Sequence, residues 1–313
     1  MTKSTANILT HRQIKEAYAA GDNVAALIRR QRNSLLNTEE AIEIAYDLQS
    51  GRYSRAMANE KHASLRTAYA AAIARELDCF HSATSLLEAG VGEGTTLTGV
   101  IAALQQAPAQ IFAFDLSWSR IAFARRWLAT CQLDQIILCT GSLEAIPLPD
   151  NSIDIVYTSH AIEPNGGREE VIISELYRVA RRGLVLVEPG YELAPPEARD
   201  RMASHGYCRN LAAICQQRGY RIIKHELLTP CLNPKNPSAV LVIAKDCATP
   251  APTPVQLVCP RYRTPLTELG GMLYSSEALS VYPLVAGIPC LRPESAILAS
   301  HYPDVLDPDK ESR

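Results

Sequence analysis

The sequence predicts an α/β fold: a doubly wound sheet with helices before it and a small β-rich module after it. Three observations carry that reading. Between residues 81 and 246, apolar runs of strand length alternate with stretches whose apolar residues recur at helical spacing. The first run, Leu86-Leu87-Glu88-Ala89, passes into Gly90-Val91-Gly92-Glu93-Gly94 and then Thr95-Thr96, which reads as a buried strand turning tightly into a helix. A composition break, Cys247-Ala248-Thr249-Pro250-Ala251-Pro252-Thr253-Pro254, then separates this region from a compact stretch of short strand-like runs.

Taken in order, residues 1–80 read as helical. Asn37-Thr38-Glu39-Glu40 is a helix start, and that helix runs to Gly51. Its end carries two aromatics, Tyr46 and Tyr53. Between Ser64 and Phe80, Leu65, Tyr69, Ile73 and Leu77 recur every four residues, the stripe of a helix packed on something. Strands are expected at Ser85–Ala89, Ile111–Asp115, Gln135–Cys139, Ile153–Tyr157 and Leu184–Glu188, with a closing antiparallel pair at Tyr220–Leu228 and Ala239–Lys245. Helices are expected from about Thr95 to Gln106, from Ser117, and from Arg168. The expected domains are a helical region (1–80), a ligand-binding α/β domain (81–246), a Pro-rich linker (247–254) and a C-terminal module with its tail (255–313).

Composition narrows the function. The chain has 313 residues, 47% of them hydrophobic, and 31 Lys+Arg against 33 Asp+Glu give a net charge of −2. A protein that neutralises many phosphates shows a basic excess or patch, so nucleic acid is a poor partner for this chain. The longest apolar runs, such as Leu184-Val185-Leu186-Val187, are too short to span a bilayer, and Met1 to Thr10 lacks the apolar core of a signal peptide. Nine scattered cysteines without a C-x-x-C pair read as reduced thiols, and the expected compartment is the cytoplasm.

The spacing around the first glycines decides which ligand to favour. A dinucleotide fingerprint is G-x-G-x-x-G, tuned to a pyrophosphate. Here Glu88, Gly90, Gly92 and Gly94 form E-x-G-x-G-x-G. This resembles the first motif of class I S-adenosylmethionine methyltransferases, in which an acid at the strand end holds the methionine ammonium. Asp115, 21 residues after Gly94, sits at the tip of the second strand, where a carboxylate accepts both ribose hydroxyls. The stretch Gly141-Ser142-Leu143-Glu144-Ala145-Ile146-Pro147-Leu148-Pro149-Asp150 also resembles that family, between its third and fourth strands. Ser142 stands where an adenine-binding Asp is common, so the adenine contact passes to Ser142 and the Leu143 backbone. The resemblance covers about residues 80–246. It implies a Rossmann-like seven-stranded sheet with an N-terminal helical lid, in which Tyr46 and Tyr53 are candidate substrate contacts. It also implies S-adenosylmethionine as cofactor, with Leu116 and Ser159 beside the other contacts.

The fourth strand ends in Ser159-His160-Ala161-Ile162-Glu163-Pro164-Asn165-Gly166-Gly167. Ligands sit at the carboxyl ends of such strands, so His160 is the candidate general base and Asn165 a candidate substrate contact. After the fifth strand, His205, Tyr207 and Asn210 lie where the family builds its acceptor pocket. The expected reaction is in-line methyl transfer to oxygen or nitrogen of a small polar molecule, such as a sugar or glycan precursor. The alternatives are a non-catalytic cofactor-binding scaffold or activating partner, and methylation of RNA or protein. A nicotinamide oxidoreductase lacks the glycine spacing.

The C-terminal module, with Cys259-Pro260-Arg261-Tyr262, Leu273-Tyr274-Ser275 and Tyr282 to Pro289, resembles the small zinc-ribbon domain that activates tRNA and protein methyltransferases. Tyr262 and Ser275 stand in place of cysteines. Structural zinc takes four ligands, so no metal is expected, and the module is expected to serve interdomain or subunit contact, including a homo-oligomer.

Overall fold

The computed structural model describes residues 9–247 and 254–306; most of the Pro-rich linker expected at 247–254, together with the end of the tail, lies outside the described residues. Five helices come first: α1 (His11–Ala19), α2 (Val24–Gln31), α3 (Glu39–Leu48), α4 (Arg52–Ala56) and α5 (Glu60–Leu77). Then come β1 (Ser85–Ala89), α6 (Thr95–Ala103), β2 (Gln110–Asp115), α7 (Trp118–Thr130), β3 (Ile137–Thr140) and β4 (Ile153–Ser159). They are followed by α8 (Glu169–Val179), β5 (Ala180–Pro189), α9 (Pro196–Ser204), α10 (Leu211–Gln217), β6 (Arg221–Leu227) and β7 (Ser238–Ala244). The C-terminal module holds β8 (Thr267–Leu269), β9 (Met272–Ser275), β10 (Ser280–Val285), β11 (Ile288–Pro289), β12 (Ile297–Leu298) and α11 (Tyr302–Leu306).

The strands β1 to β7 form one seven-stranded sheet in the order β3-β2-β1-β4-β5-β7-β6. β1 pairs in parallel with β2 and β4, while β7 runs antiparallel to both β5 and β6. All five residues of β1 are buried, as a strand covered on both faces must be. Leu87, Phe112 and Phe114 face the α8 side with Ile173 and Leu176; Leu86, Ile111 and Ala113 face the other side with Tyr69, Ile73 and Leu97. The chain order reverses between β1 and β4, and a crevice opens there at the carboxyl ends of the strands.

The N-terminal helices divide in two. Residues Tyr69, Ala70, Ile73 and Leu77 of α5 are buried in the same core as β1. Leu65, predicted to belong to that stripe, is 39% exposed and lines the crevice, because the first turn of α5 overhangs the end of the sheet. α1, α2 and α3 close a small core of their own around Ile14, Val24, Ile28 and Ala41. The predicted start of α3 holds: the Thr38 side chain accepts from the Ala41 N–H, with Glu39 and Glu40 in the first turn. Gly51 both ends that segment and starts α4, with φ of +82°.

The C-terminal strands form a second, five-stranded sheet that docks on the β3 edge. Val258 donates to the Pro147 carbonyl at 3.0 Å, Leu291 donates to the Thr140 carbonyl at 3.1 Å, and Val255, Cys259, Tyr282 and Leu291 join the core around Cys139 and Leu148. Docking therefore covers an edge strand that would otherwise present unpaired backbone groups. Cys259 Sγ lies 3.4 Å from the Tyr282 hydroxyl, and no group of three metal-ligating side chains occurs among the described residues. No helix among the described residues is long and apolar enough to cross a membrane.

Candidate active site

The crevice is a cavity of about 420 Å³ between the carboxyl ends of β1, β2 and β4, the loops that follow them, and the faces of α3, α4, α5 and α9. Its floor is built by the first glycine turn. Gly90 and Val91 both donate to the Phe114 carbonyl at 2.9 Å, which folds the turn back over β2. Gly90 has φ of +78°, and a Cβ there would lie 2.3 Å from the Ala161 Cβ, so the turn and the loop after β4 touch because no side chain separates them.

Two acids sit at adjacent strand ends. Glu88 is 1% exposed and accepts a 2.7 Å hydrogen bond from the Tyr157 hydroxyl; burial pushes its pKa up to about 8. Asp115 accepts from the Gly92 N–H at 2.9 Å and from the Ser117 N–H at 3.0 Å, which fixes its carboxylate toward the cavity. The loop after β3 adds Gly141, Ser142, Leu143 and Glu144 to the lining. Together these supply a buried acid for an ammonium, an oriented acid for vicinal hydroxyls and an apolar wall for a flat ring. This donor set fits S-adenosylmethionine.

The loop after β4 is fastened from below by Glu188. Its carboxylate accepts the N–H groups of Ala161 (3.1 Å), Ile162 (3.1 Å) and Glu163 (2.9 Å), and burial raises its pKa to about 7. His160 adopts φ of +57°, a left-handed conformation uncommon for a side chain of this size. Its Nδ1 bonds the Glu163 carboxylate, and its Nε2 lies 2.7 Å from the Ser238 hydroxyl. Burial alone would lower the His160 pKa; the Glu163 charge overrides it and the net direction is upward. Burial likewise opposes ionisation of Glu163, but His160, Tyr207 and Asn236 hold its carboxyl below the ordinary range. The two side chains form an ion pair at one pole of the cavity.

Of the residues singled out in the sequence, Glu88, Gly90, Gly92, Asp115, Leu116, Ser142, Leu143, Ser159 and His160 line this cavity, and so do Tyr46, Tyr53, Asn165 and Tyr207. Gly94, His205 and Asn210 lie outside the lining. Gly94 starts α6 with φ of +74° against Leu128, His205 caps α9 with its ring on the Arg201 carbonyl, and Asn210 starts α10.

Several residues were not legible beforehand. Glu93, hidden among the glycines, accepts from the N–H groups of Gly51 (2.9 Å), Tyr53 (3.2 Å) and Ser54 (2.8 Å) and from the Ser54 hydroxyl (2.7 Å), locking α4 over the crevice. Arg120, on what reads as an ordinary helix, is buried with its guanidinium carbon 4.7 Å and 5.1 Å from the ring centres of Tyr46 and Tyr53. The lid is tied to the loop after β4 where Asn37 donates to the Pro164 carbonyl at 2.9 Å. The sequence carries no local signal for these contacts, since the partners lie 39 or more residues away.

Fold and cleft together define an α/β protein with a cavity across the ends of β1 and β2 whose lining fits a nucleoside ligand. Residues 87–187 match the model of a family described as a methyltransferase domain. Solved structures of similar fold include magnesium protoporphyrin IX methyltransferase from Synechocystis with bound S-adenosylhomocysteine (16% identity, 65% of this chain and 99% of that one, TM-score 0.50). Others are an S-adenosylmethionine-dependent methyltransferase from Aquifex aeolicus (18%, 54% and 87%, 0.42) and geranyl diphosphate C-methyltransferase from Streptomyces coelicolor (13%, 56% and 75%, 0.45). The match gives residues 87–187 as a methyltransferase domain, which makes the chain an enzyme, and the lining of the cavity fits S-adenosylmethionine as its cofactor.

Proposed function

We propose that the protein transfers the methyl group of S-adenosylmethionine to oxygen or nitrogen of a small polar molecule. The observation that carries the reading is the meeting of Glu88 and Asp115 in one cavity with the polar pole built by His160, Glu163, Tyr46 and Tyr207. When bound, the cofactor supplies an activated methyl group on a sulfonium, so positioning for in-line attack is what the protein must provide. In this reading Glu88 faces the ammonium, Asp115 with Leu116 holds the ribose, Ser142 and Leu143 border the adenine, and Ser159 lies beside the methionine portion. Tyr46, Tyr53, Asn165 and Tyr207 contact the acceptor, while His205 and Asn210 support α9 and α10 behind Tyr207.

His160, the expected general base, has both ring nitrogens engaged. We therefore read it as the charge partner of Glu163 that shapes the acceptor pole. The C-terminal module is in our reading a metal-free relative of the zinc-ribbon activators. Its docking on β3 and the 2.6 Å ion pair from Arg292 to Glu43 of the lid support a role within the chain.

Incubation of the protein with methyl-labelled S-adenosylmethionine and a cell extract tests the proposal. Label in a low-molecular-weight product is expected; label confined to RNA or protein, or no transfer at all, would contradict it.

A further inference from the structure

The faces of α5 and α9 that overhang the cavity carry two arginines that make no salt bridge among the described residues. His62, Leu65 and Arg66 stand at i, i+3 and i+4 on one face of α5 and all line the cavity. The Arg66 guanidinium lies 5.4 Å from the ring centre of Tyr53; its charge reaches Glu88, but it makes no salt bridge among the described residues. Across from it, Arg201 of α9 lies 6.0 Å from the ring centre of Tyr207 and also makes no ion pair; its Nη1 is buried without a hydrogen-bond partner, as is Nε2 of His62.

The other charges lining the cavity are accounted for. Arg168 pairs with Glu144 at 2.6 Å, His160 pairs with Glu163, and Arg120 faces Asp115 and Glu93. Among the acids, Glu93 and Asp115 are taken up by backbone N–H groups and Glu43 by Arg292, while Glu88 is buried against Tyr157. Glu39 at the start of α3 is the exception, with no ion pair among the described residues. Against it stand two arginines and the net positive charge of the cofactor itself. The cofactor's own carboxylate can serve one of them, so a neutral acceptor would still leave a guanidinium without an anion beside a sulfonium, which is costly. Arginine's planar fork suits carboxylate and phosphate oxygens.

We propose that the methyl acceptor carries an anionic group, a carboxylate or a phosphate, held by Arg201 and Arg66. This deepens the functional reading above and rests on it. It also narrows the acceptor from a neutral hydroxyl-rich compound to an acid.

The test uses protein saturated with S-adenosylhomocysteine and titrated calorimetrically with succinate and with pyrophosphate, one probe for each anion source. Saturable binding of at least one probe is expected, weakened about 10-fold or more in Arg201→Gln and Arg66→Gln and partly restored in Arg201→Lys. Binding of neither probe, or binding unchanged in both glutamine variants, overturns the proposal. A second arm splits the small-molecule extract on an anion exchanger before incubation with labelled S-adenosylmethionine. Label from the retained fraction supports the proposal; label only from the flow-through overturns it and leaves methyl transfer itself standing. If S-adenosylhomocysteine gives no binding heat, both readings fall together.

Discussion

The hydroxyl of Tyr157 donates a 2.7 Å hydrogen bond to Oε2 of Glu88 at the floor of the cavity, and both side chains are buried. Burial lifts the Glu88 pKa to about 8, so in the empty protein this acid is largely protonated below that pH. A cationic ligand needs it ionised. Affinity for S-adenosylmethionine should therefore rise with pH by about 10-fold per unit below that value. Glu88→Gln should bind weakly and lose the pH dependence. The folded pKa lies above the ordinary 4.5, so the Glu88 contribution to stability is present below that pH and is lost as pH rises through about 8. In alkaline buffer the empty Glu88→Gln variant should thus melt higher than the parent. A pH-independent affinity in the parent, or a variant that melts lower, contradicts this account.

The carboxylate of Glu93 carries four donors from the lid, three of them backbone N–H groups that no other residue serves. Glu93→Gln removes the charge and weakens each bond, at a cost of about 1–3 kcal/mol. Amide hydrogen exchange should quicken at Tyr53 and Ser54 with little change in β1. Uniform exchange across the chain would place the effect in global stability instead.

A side chain at Gly90 meets two obstacles, the left-handed backbone and the Ala161 Cβ. Gly90→Ala should destabilise by about 1–3 kcal/mol in denaturant unfolding. Adding Ala161→Gly removes the contact and leaves the backbone strain, so the double variant should recover part of the loss. Full additivity of the two changes would show that the residues do not touch.

The His160–Glu163 pair gives a pH signature. His160 is raised from its ordinary 6.5, so its contribution is present below that pH and fades as pH rises through the folded value. Glu163 is lowered from 4.5, so its contribution is present above that pH and fades as pH falls through its folded value. The stability lost in His160→Ala, about 3–5 kcal/mol for a buried charge left unpaired, should therefore be largest between pH 4.5 and 6.5. A loss that grows steadily into alkali would rule out the ion pair.

The sheet and the cavity lining at the ends of its central strands were legible in the sequence for a physical reason. Buried parallel strands are continuous apolar runs, and the residues that line the cavity at their ends follow at fixed spacing: Glu88 before Gly90, Asp115 at the end of β2, Ser142 after Gly141. The predicted strand ends fall within a few residues of the observed ones, except that β5 begins at Ala180, where Arg181 and Arg182 broke the apolar run. The rest of the lining was legible only in part: Tyr46, Tyr53, Asn165 and Tyr207 line the cavity as expected, but the contacts that assemble this side join distant segments. Glu93 reaches Ser54, Asn37 reaches Pro164, and Arg66 and Arg201 face the same space from α5 and α9. No periodicity records such meetings. His160 lies in the expected loop, but the bond from its ring to Ser238 depends on the return of β7, 78 residues later.

The central claim is that Glu88 and Asp115 together hold S-adenosylmethionine. Calorimetric titration of the intact protein with S-adenosylmethionine, beside Asp115→Asn and Glu88→Gln, tests it most directly. Micromolar binding by the parent, weakened about 100-fold or more in each variant while their far-ultraviolet spectra stay the same, is the predicted result. Binding that survives both substitutions, or a parent that does not bind, contradicts the account.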